Sequence, residues 1–521
     1  MPIFFVKLAE MNLSFTLFFF FNQRKGIYSL SLTNNLPSWQ EFPSLPAFTM
    51  SYLIKELFRF YIDFMANINS MSIRFYSWRW IIMIALFLFS HSSVYADEVR
   101  GILTLDESID LALKQSVLIH AAEEGVLGAE AQKKEAFTGF LPKLSTSYNY
   151  TRYNESPYLR VPAGAFGPGT PASTITAGTQ DNYTWASEVR QPLFAGGGIL
   201  ANYEVNKLGF DISRMEKAAT VQDIVQEVKV SYFNILKAEK LLGVARQSLE
   251  QLQAHLNIAK NFFEVGLIPR NDVLQSEVQV ANGEQSLIRA ENSVELARSK
   301  FNTVLRRDIN TPVQLEDILT DRPDDRTLEQ SITAALENRP EIRNQILKVD
   351  QARSQVKLAR SDYFPTISAV GHYERVGDTP AVTGSAFKDA ESWYVMGQAS
   401  WTFWEWGKTK NRVDASRNRE NQSQDLLANL KDQVTLEVKN AYLLLKEAEK
   451  QLRVTRKIIE QAEENYRMNE ERYKEQVSTS TDVLDALTLL TRARSDYTTA
   501  LGDYNIYQAR LERAMGTIYS K

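Results

Sequence analysis

Carboxylates recur at two matching places in the chain. The segments "NDVLQSE" (271–277) and "TDVLDAL" (481–487) are nearly identical in pattern, with Asp272 and Asp482 at the head of a shared DVL phrase. Asp485 follows Asp482 by three residues, which places both on one face of a helix. Carboxylates at a helix start can satisfy free backbone N–H groups and the helix dipole. Capping is therefore the first chemistry that these residues could perform.

Other chemistry has little support in the composition. The chain of 521 residues has no cysteine, which excludes disulfides, thiolate metal sites and a cysteine nucleophile. Its four histidines (His91, His120, His255 and His372) are scattered, without an HExxH or nucleophile motif. The net charge of -4 argues against nucleic-acid binding. The sequence predicts no enzyme, no metal site and no cofactor.

The DVL phrases belong to an internal duplication. "EVKVSYFNILKAEKLL" (227–242) aligns with "EVKNAYLLLKEAEKQL" (437–452), and "TLDESIDLAL" (104–113) aligns with "TLEQSITAAL" (327–336). The offset between copies changes between these two pairs, which indicates a loop insertion in the first copy. Repeats of this length are too long for a solenoid. We predict a first structural repeat over 97–310 and a second over 311–521.

Long helices dominate the second half of each repeat. Apolar residues alternate at steps of three and four from Ile235 to Ala259, and the pattern recurs from Leu445 to Tyr466. The segments that follow Asp272 and Asp482 have seams of their own. Each repeat is therefore predicted to contain a long αα-hairpin, with a first helix from about Leu200 to Phe263 that extends roughly 95 Å. Shorter helical regions are predicted at 104–140 and 327–363.

Four segments read as strands with one apolar and one polar face. They are rich in Tyr and Trp and lie at 141–153, 182–194, 365–375 and 393–404, with exposed loops at 154–181 and 376–392. "FAGGGIL" (194–200) is interpreted as the break between strand and helix. The pattern suits a membrane barrel better than a soluble sandwich, although both are compatible with it. Because four strands cannot close a barrel, the chain is predicted to oligomerise.

The N-terminus predicts export. Residues 71–96 combine Arg74 and Arg79, a short apolar run and a "VYA" cleavage site, as in a secretory signal peptide. Residues 1–70 precede this signal, and we interpret them as a misannotated N-terminal extension with Met71 as the start.

Taken together, these features resemble the TolC-like outer-membrane efflux protein family (outer membrane factors). The resemblance covers about 102–516 and depends on the duplicated layout and on "LPKLS", "FPTIS", "PLFAGGG", "VGLIPRNDVLQSE" and "TSTDVLDA" in this order. It implies a mostly α fold with a membrane β-barrel part, in which a homotrimer forms a twelve-stranded β-barrel continued by a long twelve-helix α-barrel tunnel. It also implies an exit duct in the outer membrane with a periplasmic extension. The implied partners are outer-membrane lipid, a periplasmic adaptor (membrane fusion) protein and an inner-membrane pump of RND or ABC type.

The resemblance also assigns roles to residues at the hairpin turns. Asp482 and Asp485 match the acidic pair at the periplasmic pore constriction, where a carboxylate ring would favour cations. Asp272, expected to act mostly as a cap, and Tyr473 are gate-associated. This chain departs from the family at two positions. Ser478 occupies the position of the family's gate Arg, and Gln476 occupies the position of its turn Gly. The turn Val265, Gly266 and Leu267 retains the adaptor contact.

An exported coiled-coil stalk or adhesin-like protein is the alternative interpretation. It explains the heptads of the long helices but leaves the four aromatic strands unexplained. Within the channel interpretation, efflux and type I secretion both stay open, and the sequence does not identify the cargo.

Overall fold

The computed structural model describes residues 4–6, 17–20, 29–32 and 102–519, which fall in two units divided after Val99. In the first unit, β1 (Phe4–Val6), β2 (Leu17–Phe20) and β3 (Ser29–Leu32) form an antiparallel sheet in this order. The predicted signal peptide at 71–96, and the predicted extension at 1–70 apart from these strands, lie outside the described residues. Both stay predictions.

The second unit contains two similar sets of elements. The first set is α1 (Leu105–Gln115), α2 (Val117–Thr138), β4 (Lys143–Arg152), β5 (Tyr158–Val161), β6 (Ser173–Thr176), β7 (Asp181–Ala195), α3 (Gly198–Glu264) and α4 (Arg270–Val304). The second set is α5 (Leu328–Asn338), α6 (Pro340–Ser361), β8 (Thr366–Gly377), β9 (Glu391–Ser400), α7 (Lys408–Lys474) and α8 (Ser480–Ala514). The helices of the two sets match in length, with α3 and α7 both of 67 residues and α4 and α8 both of 35. A helix of 67 residues is about 100 Å long.

Backbone conformation repeats between the sets even where the residue changes. Positive φ occurs at Gly196 and Trp406, at Gly197 and Gly407, at Gly266 and Gln476, and at Arg306 and Gly516. Each of these pairs has the same sequence offset as the two DVL phrases. The duplication therefore preserves the left-handed turns more strictly than it preserves glycine.

The four long strands form one antiparallel sheet in the order β4-β7-β8-β9. Cross-strand partners lie on the same face, so the register separates two faces of different character. One face carries most of the aromatic and apolar residues, together with the charged Arg152, Arg375 and Glu391: Leu144, Tyr148, Tyr150, Tyr183, Trp185, Val189, Tyr373, Trp393 and Val395. The other carries most of the polar residues, together with Val370, Tyr394 and Met396: Ser145, Ser147, Asn149, Glu188, Arg190, His372, Glu374 and Gln398. Within the described chain, the outer edges of β4 and β9 have no strand partner.

The four longest helices pack in the order α4-α3-α8-α7. One apolar core surrounds Tyr232 and Phe301, where α3 and α4 meet the inter-repeat segment, and a second surrounds Leu445 and Tyr504 between α7 and α8. The edge helices α4 and α7 also carry apolar side chains that are about half exposed or more. On α4 these are Leu274, Val278, Ile288 and Leu296, and on α7 they include Leu426, Leu436, Leu443, Val454 and Ile458.

The segment 306–327 between the repeats crosses α3 and α7 near their middle and α8 in its C-terminal part. Tyr232 of α3 donates to the Glu316 carbonyl at 2.9 Å, and Asn505 of α8 donates to the Thr320 carbonyl at 3.0 Å. Lys446 of α7 donates to the Asp324 carbonyl at 2.6 Å. The segment thus ties both hairpins together far from their turns.

The structure corrects three details of the predicted elements. Each short helical region is two helices, because Ser116 caps α2 and Pro340 begins α6. The fourth strand ends at Ser400 rather than at 404, since the chain must turn through Trp406 and Gly407 before α7. The loop 154–181 contains a small hairpin, β5 with β6.

Among the described residues, no helix combines the length and the apolar character needed to cross a bilayer.

The junction between β7 and α3 predicts a test of the fold. Gly196 has φ of +60°, and a Cβ there would lie 2.4 Å from the Ser361 carbonyl oxygen. We expect Gly196→Ala to destabilise the protein by about 3 kcal/mol, because a left-handed Ala is strained and backbone must also move. Chemical denaturation in detergent would measure the change.

Gly243→Ala is the matched control. Gly243 lies inside α3 with open space around its Cα, so Ala should raise stability by up to about 1 kcal/mol. Equal effects of the two substitutions would contradict the assignment of Gly196 as the required left-handed position.

Candidate functional site at the hairpin turns

The turns of hairpin 1 (α3 with α4) and hairpin 2 (α7 with α8) have the same geometry. At the end of α3, the Gly266 amide donates to the Phe263 carbonyl and the Leu267 amide to the Phe262 carbonyl, at 2.9 and 2.8 Å. At the end of α7, Gln476 and Val477 repeat these bonds to the carbonyls of Tyr473 and Arg472, at 3.0 and 2.8 Å. Both are Schellman motifs, which need a left-handed residue just past the helix.

The predicted adaptor turn is open to solvent. Val265 and Leu267 are 69% and 51% exposed, and a Cβ on Gly266 would meet nothing within 4 Å. In hairpin 2 the same positions are Glu475, Gln476 and Val477, which are also exposed. The two turns therefore have the same backbone but different surfaces.

Asp482 caps its own helix. The Thr479 amide and hydroxyl donate to Asp482 Oδ2 at 2.9 and 2.8 Å, while the Asp482 amide donates back to Thr479 Oγ1 at 3.2 Å. This capping box holds the carboxylate at the start of α8. The Thr479 amide, more than its hydroxyl, lowers the pKa of Asp482. Asp485 is exposed one turn further along the helix.

Asp272 does not cap, contrary to the expectation from the sequence. It occupies the position of α4 that Asp482 occupies in α8, but the cap residue of α4 is Pro269, which makes no side-chain bond. Proline has neither the hydroxyl nor the N–H that a capping box needs. The half-buried Asp272 still lies in the first turn, where a negative charge suits the helix dipole.

Tyr473 and Ser478 face the inside of the turns. Tyr473 is 3% exposed, and its hydroxyl makes no hydrogen bond of normal geometry with the described residues. Burial raises the pKa of Tyr473, Asp272 adds to this effect, and the nearby Ser480 hydroxyl opposes it. Ser478 is half-buried and donates to the Asn469 carbonyl at 3.3 Å, within hairpin 2.

A buried histidine that the sequence did not single out joins this site. His255 is 3% exposed, and its Nε2 lies 2.8 Å from Ser480 Oγ, which in turn lies 3.4 Å from Ser276 Oγ. The imidazole packs on the Tyr473 ring at a centroid distance of 5.0 Å. We call His255, Ser276, Tyr473 and Ser480 the tip cluster. Burial lowers the pKa of His255 to about 4.

One sequence signal could have identified His255. Ser248, Leu252, His255 and Ala259 also follow steps of four, three and four, and Leu252 and Ala259 belong to the predicted seam as well, so His255 lies directly beside that seam. A histidine on an inward-facing stripe must either find a partner or lose its charge.

The site is therefore structural and electrostatic in character. It brings Asp272, Tyr473 and the tip cluster together at the meeting of the hairpins, and it leaves Asp485 and the apolar turn residues accessible. Within the described part of the chain, no group of three or more histidine or acidic side chains is arranged to hold a metal ion.

The sequence also matches a known protein family. The model of the outer membrane efflux protein family matches residues 108–305 and 331–517, that is, both repeats. The chain belongs to the outer membrane efflux protein family. As the family is an outer-membrane transport family, this membership favours the channel interpretation over the stalk or adhesin.

Individual relatives share low sequence identity with this chain and agree with the family assignment. The chain is 24% identical over 283 residues to protein CyaE of Bordetella pertussis, an alignment that covers 54% of this chain and 56% of CyaE. It is 21% identical over 352 residues to outer membrane protein TolC of Escherichia coli, covering 61% of this chain and 69% of TolC. The chain thus spans little more than half the length of CyaE.

Solved structures confirm the predicted fold class. The outer membrane channel CmeC of Campylobacter jejuni superposes with a TM-score of 0.67 at 18% identity, covering 80% of this chain and 86% of CmeC. At this identity the likeness shows the shared fold, in which long helices continue from a β part. Family and fold together place this efflux protein in the outer membrane with a periplasmic helical extension.

The two turns allow a reciprocal test of the left-handed position. Gln476 has φ of +62° where Gly266 has +76°. We expect Gln476→Gly to stabilise hairpin 2 by about 1 kcal/mol, because glycine avoids the left-handed strain of a side chain. Gly266→Gln should destabilise hairpin 1 by a similar amount, as measured by thermal unfolding of the purified protein.

The double swap is the control for surface effects, and its stability should lie near that of the original chain. A loss of stability in Gln476→Gly would mean that the Gln476 side chain contributes a contact worth more than its backbone strain.

Proposed function

We propose that this efflux protein is the exit duct of a tripartite efflux or type I secretion system, which passes substrates from an inner-membrane pump to the exterior. In this proposal three copies close into one channel, and a periplasmic adaptor links the channel to the pump. The observation that carries the proposal is that both layers of the second unit end in unsatisfied edges.

The sheet supplies the first pair of edges. Among the described residues, β4 and β9 have no strand partner on their outer sides, and lipid offers no hydrogen bonds to satisfy their backbone groups. Pairing β4 of one copy with β9 of the next removes both edges. Three copies then give a closed barrel of twelve strands, with the aromatic face toward lipid and the polar face toward the lumen.

The helical layer supplies the second pair. The edges α4 and α7 both expose apolar side chains, such as Leu296 at 72% and Leu436 at 69%. Contact between α4 of one copy and α7 of the next would bury both sets. Because the two edges differ, the contact is heterologous, and such contacts form a ring when the rotation closes.

The hairpin turns would form the inner end of this duct. In a ring of three, Asp482 and Asp485 contribute six carboxylates around the axis, which favours cations and disfavours free anions. The capping box fixes Asp482 and keeps its pKa low, so its charge is positioned by the helix itself. Asp485, exposed and beyond the cap, is the better candidate for contact with passing ions.

The turn surfaces support unequal docking of the adaptor. Val265 and Leu267 flank Gly266 in hairpin 1 and present an apolar surface on a rigid turn. Hairpin 2 presents Glu475 and Gln476 beside Val477, so its turn surface is more polar than that of hairpin 1. We propose that the adaptor contacts the turn of hairpin 1 more tightly.

The assembly can be tested by the mass of the mature chain. Purified from outer membranes in detergent, residues 97–521 should have the mass of three protomers. Leu296→Asp should reduce the trimer fraction severalfold, because a charge on the α4 edge would have to be buried at the interface. Leu296→Met should leave the trimer intact. A stable monomer of the original chain that needs no detergent would overturn the proposal.

The carboxylate ring can be tested by conductance. In planar bilayers, Asp485→Asn should lower the preference of the open channel for cations over anions, by roughly twofold or more, since three of the six charges disappear. Asp496→Asn, which changes an exposed carboxylate further along α8 that is ion-paired with Arg492, is the matched control and should leave selectivity unchanged. Unchanged selectivity in Asp485→Asn would remove Asp485 from the pore.

A further inference from the structure

The tip cluster connects all four long helices at one buried point. His255 comes from α3, Ser276 from α4, Tyr473 from α7 and Ser480 from α8, and each is at most 3% exposed. Near the turns the hairpins also meet at Thr481 and Gln275, whose side chains are 3.4 Å apart but lie at the surface. The cluster is thus a buried polar connection between the two hairpins near their turns.

Ser480 is well placed to transmit this connection to the carboxylates. It is the first residue of α8 and lies two residues before Asp482. The His255 bond to Ser480 therefore fixes the start of the helix that carries both proposed pore aspartates. Among the described residues, Ser478, which stands where the family has its gate Arg, hydrogen-bonds within its own hairpin.

The surroundings of His255 suit a neutral imidazole. Its ring packs on Tyr473, whose other neighbour is the Phe262 ring at 5.5 Å, and its Nε2 meets a serine hydroxyl. Glu470 of α7 is the acidic group that favours protonation, but it already pairs with Lys474 at 3.2 Å and accepts from the Tyr466 hydroxyl. From α4 the charged group on this side is Asp272, which acts on Tyr473. From α8 the neighbour is the uncharged Ser480.

We propose that His255 is a proton-sensitive positioning residue of the gate: the neutral imidazole holds Ser480 and the start of α8 against hairpin 1, and protonation of the imidazole releases hairpin 2. A role of His255 in gating rests on the proposed duct function. The release of hairpin 2 from hairpin 1 does not depend on it.

The direction of the pH effect follows from linkage. Burial lowers the pKa of His255 from 6.5 to about 4 in this structure, which the proposal takes as the closed arrangement. The closed arrangement is therefore fully favoured above pH 6.5, and it is weakened progressively as pH falls toward 4. Between pH 7 and pH 5 the closing equilibrium should fall roughly twentyfold for a released imidazole of ordinary pKa. Asp482 has a lowered pKa and keeps its charge over this window.

Single-channel recording tests the gate. In planar bilayers the open fraction of the original channel should rise by about tenfold or more from pH 7 to pH 5. His255→Gln can keep a hydrogen bond to Ser480 but cannot take up a proton, so it should stay closed at both pH values. His120→Gln changes an exposed histidine of α2 and should behave like the original chain. A His255→Gln channel with the original pH response would overturn the proposal.

A distance measurement separates this proposal from the duct function. The chain has no cysteine, so Glu264→Cys and Glu475→Cys provide one pair of spin labels per protomer on the two exposed turns, and dilution with unlabelled chain leaves one labelled protomer in a trimer. The interlabel distance should lengthen from pH 7 to pH 5, and His255→Gln should abolish the change. If the protein forms no pore but the distance responds through His255, the duct fails and the release stands. A distance that ignores pH would refute the release.

Discussion

Unpaired edges are the constraint on which the rest of this structure depends. A sheet of four strands in lipid must satisfy the outer backbone groups of β4 and β9, and a layer of four long helices must cover apolar side chains on α4 and α7. The proposed ring satisfies both the sheet and the helical layer by the same rotation between copies. In the sheet β4 of one copy pairs with β9 of the next, and in the helical layer α4 of one copy contacts α7 of the next. The inter-repeat segment supports this arrangement by tying the hairpins together far from their turns, through Tyr232, Asn505 and Lys446. The turns are left as the less constrained end, where a small buried cluster can decide how the hairpins lie.

The fold is built from two copies of one unit, and the positive-φ positions show which backbone features the two repeats still share. Gly196, Gly266 and Gly516 each have a counterpart that is not glycine, namely Trp406, Gln476 and Arg306. The left-handed backbone is required at these positions because a strand must become a helix or a helix must stop. The side chain at the position is free to change if the strain of about 1–2 kcal/mol is tolerated. The repeats have diverged in this way at their surfaces, which gives one apolar and one polar turn.

The spacing of apolar residues alone predicts much of the fold. The element ends that it does not predict have physical causes. Steps of three and four residues predict both hairpins, and alternation of polar and apolar residues predicts the four strands. The break at Ser116 depends on one capping hydroxyl, and the end of the fourth strand on a left-handed Trp406, which no propensity indicates. At the site, the roles of the acidic pair and of Tyr473 are predictions from the family resemblance. The different states of Asp272 and Asp482 depend on whether Pro269 or Thr479 precedes them, and His255 acquires its role only from residues of three other helices.

The distinct edges of each protomer have a genetic consequence. In the proposed ring every copy offers its α4 edge to one neighbour and its α7 edge to the other, so a copy with one damaged edge would still join through the intact one. Such a copy occupies a place in the ring and leaves it open. If half of the copies in a cell were of this kind, only about one ring in eight would contain three sound members. Defects at these edges should therefore be dominant over a normal copy of the gene, whereas defects that prevent folding should be recessive.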